Sequence, residues 1–191
     1  MEQLEKAIAE IKEAMPGLEL RENEPMSEHC SFRIGGPAAV MAFPKTTEEL
    51  KQLLQGAAAA GAQPYILGAG TNILAPDEGL DALVICLKDA LCGIRLLDEA
   101  RIEAYAGKSM AKAAVFAKNH ALTGLEFAHG IPGTLGGGCA MNAGAYGGET
   151  ADALKNVTYA ENGAIIKETV DKTAFGHRLS PYCVPERIVI E

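Results

Sequence analysis

The sequence predicts an α+β fold, and three stretches of it carry that expectation. Residues 2–14 place Leu4, Ile8 and Ile11 on one face of a charged helix that Met15-Pro16-Gly17 stops. Ala38–Phe43 reads as a strand closed by Pro44, and the capping box Thr46-x-x-Glu49 then opens a helix with Leu50, Leu53, Leu54, Ala57 and Ala58 at helical spacing. Gly61 ends that helix and Tyr65–Leu67 returns as a strand. The result is a β-α-β unit whose strands are expected to run parallel with a right-handed crossover. The third stretch, Val157–Ala160 and Ala164–Ile166 around Glu161-Asn162-Gly163, is a short-loop hairpin signal.

Between these stretches, strands are expected at Leu83–Leu87, Ile94–Leu97 and Arg101–Ala106. Ser109 should cap a helix running to Leu122 with Met110, Ala113, Ala114 and Ala117 inward. Arg187–Glu191 reads as an apolar strand with no closing turn after it, as in a chain cut mid-strand.

Composition narrows the function. With 191 residues, 48% of them hydrophobic, the chain can bury a core as one domain or two small ones. A net charge of −8 argues against sequence-independent nucleic-acid binding, which needs clustered Lys and Arg. Anionic ligands would have to be held by backbone amides and a few local cations. No stretch reaches the roughly 18 apolar residues of a membrane span, and the N-terminus lacks a signal-peptide core. Cys30, Cys86, Cys92, Cys139 and Cys183 form no C-x-x-C pair, and His29, His120, His129 and His177 have no metal-ligand spacing. Reduced thiols, no metal and a cytoplasmic location are therefore expected.

Two segments carry the functional signal. Gly68-Ala69-Gly70-Thr71-Asn72 follows a strand directly, so it is equally an ordinary tight turn and an anion-binding nest of consecutive N–H groups. The second runs from Gly124 to Gly148 and holds nine glycines in 25 residues, a density that neither helix nor strand propensity explains. A backbone closely following a flat or phosphorylated ligand would explain it, and interleaved Ile131, Leu135, Met141 and Tyr146 argue that the segment is packed. The dinucleotide fingerprint fails at Ile73, and a P-loop ending in Gly107-Lys108-Ser109 fails at Ile102, where each needs glycine.

Ser31-Phe32-Arg33-Ile34-Gly35-Gly36-Pro37-Ala38, Leu67–Leu74 and Gly130–Glu149 together resemble the UDP-N-acetylenolpyruvoylglucosamine reductase family, flavoenzymes that make UDP-N-acetylmuramate for bacterial cell walls. The resemblance runs from about Ser27 to the last residue. It implies the two-subdomain FAD-binding fold of the vanillyl-alcohol-oxidase type. Residues 1–88 would form the first subdomain and 89–191 the second, with the glycine-rich flavin loop. It also implies non-covalent FAD, NADPH as reductant, and a small-molecule UDP-sugar substrate.

Carried over residue by residue, Gly68, Gly70, Thr71 and Asn72 would surround the FAD pyrophosphate. Gly130, Ile131, Pro132, Gly133, Gly136 and Gly137 would line the flavin, and Asn142, Ala143 and Gly144 would complete the pocket. Tyr146 would sit near the substrate. Phe175-Gly176-His177-Arg178-Leu179-Ser180 resembles the family's Phe-Gly-Tyr-Arg-x-Ser, which makes Arg178 the match for the arginine that stabilises the enolate. His177 stands where the family has tyrosine, in a position of substrate contact. Ser180 is not the family's proton-donating serine, which belongs to a later Gly-Ser-x-Phe-Lys-Asn-Pro motif; neither that motif nor the family's C-terminal glutamate occurs here. A third, substrate-binding domain, the chain's partner in cis, is thus expected to be absent, leaving the fragment inactive alone. Two rivals stay open at this point: an FAD module of another oxidoreductase on the same fold, and a non-catalytic flavin-binding protein.

Overall fold

The computed structural model describes residues 2–88 and 90–191, and the chain divides into two compact units, Met1–Ala90 and Leu91–Glu191. The first unit contains α1 (Glu2–Ala14), β1 (Glu19–Pro25), β2 (Pro37–Phe43), α2 (Thr47–Ala59), β3 (Tyr65–Leu67) and β4 (Leu80–Cys86). Its four strands are ordered β1-β2-β4-β3, with β1 antiparallel to β2 and both β2 and β3 parallel to β4. The two strands of the expected β-α-β unit therefore run parallel but are not neighbours, because β4 is inserted between them. β4 takes the centre because Leu83, Val84, Ile85 and Cys86 are all buried, as a strand covered on both faces requires.

Strand β1 was not expected. Its sequence, Glu-Leu-Arg-Glu-Asn-Glu-Pro, has no apolar alternation, and it exists as a strand because it adds to the free edge of β2. An edge strand can be polar, and it can end on a proline that needs no donor. The expected helix cap is present: Thr46 Oγ1 accepts the Glu49 N–H at 3.1 Å, and the Glu49 carboxylate accepts the Lys45 N–H at 2.5 Å. Helix α1 approaches α2 where Gly56 leaves room, since a Cβ there would lie 3.2 Å from Ile11 Cγ1. Ala7 and Ile11 of α1 are buried, whereas Leu4 and Ile8 are half-buried and line a cavity of about 360 Å³ with Val40 and Asp81.

The second unit contains β5 (Ile94–Asp98), β6 (Arg101–Ala104), α3 (Met110–Asn119), α4 (Leu135–Ala140), β7 (Gly144–Ala145), β8 (Gly148–Glu149), α5 (Thr150–Ala153), β9 (Asn156–Glu161), β10 (Ala164–Thr169) and β11 (Arg187–Val189). β9 is the middle strand of a three-stranded antiparallel sheet, order β10-β9-β11. The β9–β10 hairpin turns at Asn162-Gly163, both with positive φ (51° and 77°), as a two-residue primed turn demands. Ser109 caps α3, which stops at Asn119, short of the expected Leu122, where Ala121 turns left-handed at φ 56°.

The glycine-rich segment contains an element its composition hides. Leu-Gly-Gly-Gly-Cys-Ala forms helix α4, against glycine's poor propensity, because tertiary contacts hold it. Thr134 Oγ1 caps it, the Leu135 N–H donates to Lys108 O (2.8 Å), and the Gly136 N–H donates to Ala106 O (2.9 Å). Met110, Ala114, Phe127, Ala128 and Ala143 form the small core beneath. A second knot closes the sheet: the Tyr182 and Tyr159 hydroxyls donate to the two oxygens of Glu168, at 2.8 and 3.2 Å. Burial and that carboxylate together push the Tyr182 phenol far above its ordinary range.

Glu24 ties β1 to the segment that follows it. Its Oε1 accepts from His29 Nε2 at 2.7 Å and from Arg21 at 3.0 Å. Burial works against its ionisation, but the hydrogen bonds from His29 and Arg21 outweigh it and hold the carboxyl below its ordinary 4.5. A depressed carboxylate stabilises the fold above the unfolded value, and that stabilisation is lost as pH falls below it. Glu24→Gln should therefore be less stable than wild type at pH 7, with the gap closing below about pH 4.5. Urea midpoints of both proteins from pH 7 to pH 3 check this; a gap that does not vary with pH would contradict it.

Candidate functional site

The first group of site residues lies on the loop after β3. Gly70 has φ +64°, and a Cβ there would fall 1.9 Å from His29 O. The Ser31 N–H donates to Gly70 O at 3.0 Å, so the His29–Ser31 backbone lies directly against the loop. The glycine is thus demanded by internal packing, in addition to anything a ligand requires. Gly36 shows the same logic: a Cβ would lie 2.3 Å from Asp77 O, and the Gly36 N–H donates to Pro76 O. Gly68 and Thr71 are half-buried and Asn72 is exposed on the same short loop.

The other site residues belong to the second unit, and its glycines divide into two kinds. Gly136 needs its hydrogen because a Cβ would meet Ala106 Cβ at 2.7 Å; Gly138 would meet Met110 Sδ at 2.7 Å, and Gly144 would meet Gly148 O at 2.7 Å. These are packing glycines. Gly137 and Gly130 are different. A Cβ on Gly137 would touch only Thr134 Oγ1, at an ordinary 3.4 Å, and one on Gly130 only the Tyr146 ring, at 3.9 Å. Both are exposed. Gly137 sits inside a helix, where alanine would be favoured by about 1 kcal/mol. No protein atom asks for glycine there, so the two leave an open cradle that a Cβ would fill, flanked by half-buried Ile131 and Gly133 (φ 146°) and exposed Pro132.

Beside this face two tight turns stand out. The β7–β8 hairpin turns at Tyr146-Gly147, with φ 53° and 83°, and leaves Tyr146 96% exposed. The second turn is closed by paired bonds between Gly176 and Leu179 (3.0 and 3.1 Å), and its two central residues are His177 and Arg178. Arg178 has φ 55°, a left-handed conformation that costs a bulky residue of order 1 kcal/mol or more, and it is exposed.

Asn142 is an expected pocket residue whose side chain is bonded to protein. It is 2% exposed; its Nδ2 donates to Gly176 O at 2.9 Å and its Oδ1 accepts the Ala151 N–H at 3.0 Å. Its carboxamide is occupied by protein at both ends. Ala143 is buried and its carbonyl accepts from Thr150, through N (2.9 Å) and Oγ1 (2.8 Å). Sequence reasoning missed Ser180 as an anchor: its hydroxyl donates to Ala140 O at 2.8 Å and accepts the Tyr182 N–H at 3.1 Å. A serine directly after an exposed turn was the available signal. Among the described residues no group of three or more His, Cys, Asp or Glu could hold a metal, and no helix is long and apolar enough to cross a membrane.

The chain belongs to the FAD-binding domain family, whose model matches residues 37–167. Its mixed α and β architecture is the FAD-binding fold of the vanillyl-alcohol-oxidase type, and FAD is its cofactor. Within that class the chain is similar to UDP-N-acetylenolpyruvoylglucosamine reductases. It is 41% identical over 149 residues to that of Syntrophomonas wolfei, covering 78% of this chain and 50% of the relative. It is 40% identical over 184 residues to that of Caldanaerobacter subterraneus, covering 96% and 60%. The crystal structure of the Thermus caldophilus reductase superposes with a TM-score of 0.72 at 31% identity, over 91% of this chain and 59% of that one. Glucooligosaccharide oxidase from Acremonium strictum, 17% identical with a TM-score of 0.60 over 86% and 36%, shares the fold. The chain thus spans about half to three fifths of the length of the reductases it matches.

The two kinds of glycine give opposite expectations. Gly70→Val should unfold the first unit, because a branched side chain at φ +64° collides with the His29 carbonyl. Gly137→Ala should keep or slightly raise the melting temperature while weakening FAD binding by about tenfold, roughly one lost close contact. Thermal melts paired with FAD titration read both, and unchanged FAD affinity in folded Gly137→Ala would remove Gly137 from the cradle.

Proposed function

We propose that this chain is the FAD-binding portion of an NADPH-dependent reductase that converts UDP-N-acetylglucosamine enolpyruvate to UDP-N-acetylmuramate in peptidoglycan synthesis. The observation that carries the reading is 40% identity over 184 residues, 96% of the chain, to a UDP-N-acetylenolpyruvoylglucosamine reductase. FAD, when bound, supplies hydride transfer, with NADPH as reductant. Gly68, Gly70, Thr71 and Asn72 are assigned to the pyrophosphate. Gly130, Ile131, Pro132, Gly133, Gly136 and Gly137, with Ala143 and Gly144, are assigned to the flavin.

The chain's own residues do the rest of what can be assigned here. Arg178 stands on a two-residue turn, its guanidinium held by no ion pair among the described residues. A planar fork in that position meets a carboxylate bidentately and stabilises negative charge as it develops on the enolpyruvyl group. Tyr146 and His177 occupy the neighbouring exposed tips and are assigned to substrate contact. Protonation of the enolate at its α-carbon, beside the carboxylate, needs an acid. The Ser180 hydroxyl does not supply it, since it is bonded at both sides.

The 191 residues should therefore bind FAD yet show no substrate-dependent NADPH consumption. Joined to the remaining length of a related reductase they should turn over, and Arg178→Ala in that protein should lower kcat by roughly 10²- to 10³-fold. Arg178→Lys should rescue poorly, because an ammonium lacks the fork. Full turnover by Arg178→Lys, or by the 191 residues alone, would overturn these assignments.

A further inference from the structure

The two exposed turns of the second unit are built on the same buried group. The Tyr146 turn is closed at its base by Thr150 donating to Ala143 O, and the next residue, Ala151, donates its N–H to Asn142 Oδ1 at 3.0 Å. The Arg178 turn is closed by Gly176 and Leu179, and Gly176 O accepts from Asn142 Nδ2 at 2.9 Å. One carboxamide therefore reaches the roots of both turns, the acceptor holding one and the donor the other. Asn142 has φ 41°, in the left-handed region that asparagine tolerates better than most residues, and it is 2% exposed. A serine adds a second stitch on the far side of the Arg178 turn, from Ser180 Oγ to Ala140 O.

We propose that Asn142 is a positioning residue: it fixes Arg178 and Tyr146 relative to each other and to the glycine-rich face, and touches no ligand itself. Three observations separate this from ordinary core satisfaction. The two bonds join segments 34 and nine residues away in sequence, and this one side chain meets the base of both turns, whereas the Thr150–Ala143 and Ser180–Ala140 bonds each serve one. Both turns carry a non-glycine residue at positive φ, Tyr146 at 53° and Arg178 at 55°, conformations that persist only where the surroundings dictate them. Both residues are exposed, so no packing of their own side chains supplies that constraint. Asparagine alone offers a neutral donor and acceptor on one planar group at this spacing; aspartate keeps the acceptor and loses the donor.

That asymmetry makes the test. The inference rests on Tyr146 and Arg178 facing a ligand, but the order of the two turns can be measured with no ligand present, so the proposal can fail while the functional reading stands. Asn142→Asp keeps the bond from Ala151 N–H and replaces the donor to Gly176 with a carboxylate that repels its carbonyl. In the 191-residue protein, trypsin should cleave after Arg178 roughly tenfold faster than in wild type, the change expected from losing one buried hydrogen bond. Chymotrypsin cleavage after Tyr146 and trypsin cleavage after the exposed Lys118 and Lys155 should stay at wild-type rates. Asn142→Ala should release both turns. Equal rates at Arg178, or a uniform rise at every site with the melting temperature, would overturn the proposal and leave Asn142 as fold support only. If Asn142→Asp does not fold, wild-type hydrogen exchange decides. The Asn142 carboxamide and the Ala151 N–H should exchange at least about 100-fold more slowly than an exposed amide. Fast exchange at either rejects the bridge.

Discussion

A single buried carboxamide ties together two separate segments of the second unit. Asn142 must place its Nδ2 on Gly176 O and its Oδ1 on Ala151 N–H, and both partners are backbone groups that cannot turn away. Leaving either unpaired in the interior would cost about 1–3 kcal/mol, so the arrangement is close to all-or-none. From that point outward the structure is constrained by space. Gly138 passes under Met110 and Gly136 under Ala106 at distances that no Cβ allows, which brings α4 against the start of α3. Gly130 and Gly137 are exposed with room for a Cβ, and the turns that carry Tyr146 and Arg178 stand beside residues bonded directly to Asn142.

Much of this was legible in the chain. The strand Ala38–Phe43, the Thr46-capped helix and the Asn162-Gly163 hairpin all formed where apolar period and turn chemistry placed them. What escaped was decided by tertiary contact. β1 has the composition of a loop and becomes a strand by pairing with β2. α4 has the composition of a turn and becomes a helix because Thr134 caps it and Lys108 and Ala106 accept its first N–H groups. The parallel strands β2 and β3 were expected as one unit, but the run Leu83–Cys86 is apolar on both faces and claims the position between them.

For several site glycines the structure supplies a reason that the sequence does not show. The resemblance assigns Gly70, Gly130, Gly136 and Gly137 alike to the cofactor. In the structure Gly70 and Gly136 answer to His29 and Ala106, whereas Gly130 and Gly137 have free space where a Cβ would be and no positive φ to demand glycine. Asn142 was read as pocket lining, and its side chain bonds to Gly176 O and to the Ala151 N–H. Arg178 was found through its motif; its left-handed φ is the physical sign that a structure adds. With a net charge of −8 the protein offers an anion no general attraction, so exposed cations such as Arg178 and local backbone amides must act singly and in place.

The central claim is that these 191 residues are built to hold FAD without a covalent link, and a direct binding titration tests it. Purified protein added to FAD should quench flavin fluorescence to saturation, with one flavin per chain, and the yellow colour should survive desalting and be released on denaturation. Protein that stays colourless and leaves FAD fluorescence unchanged at micromolar concentrations would contradict the account. So would a flavin that remains attached after denaturation.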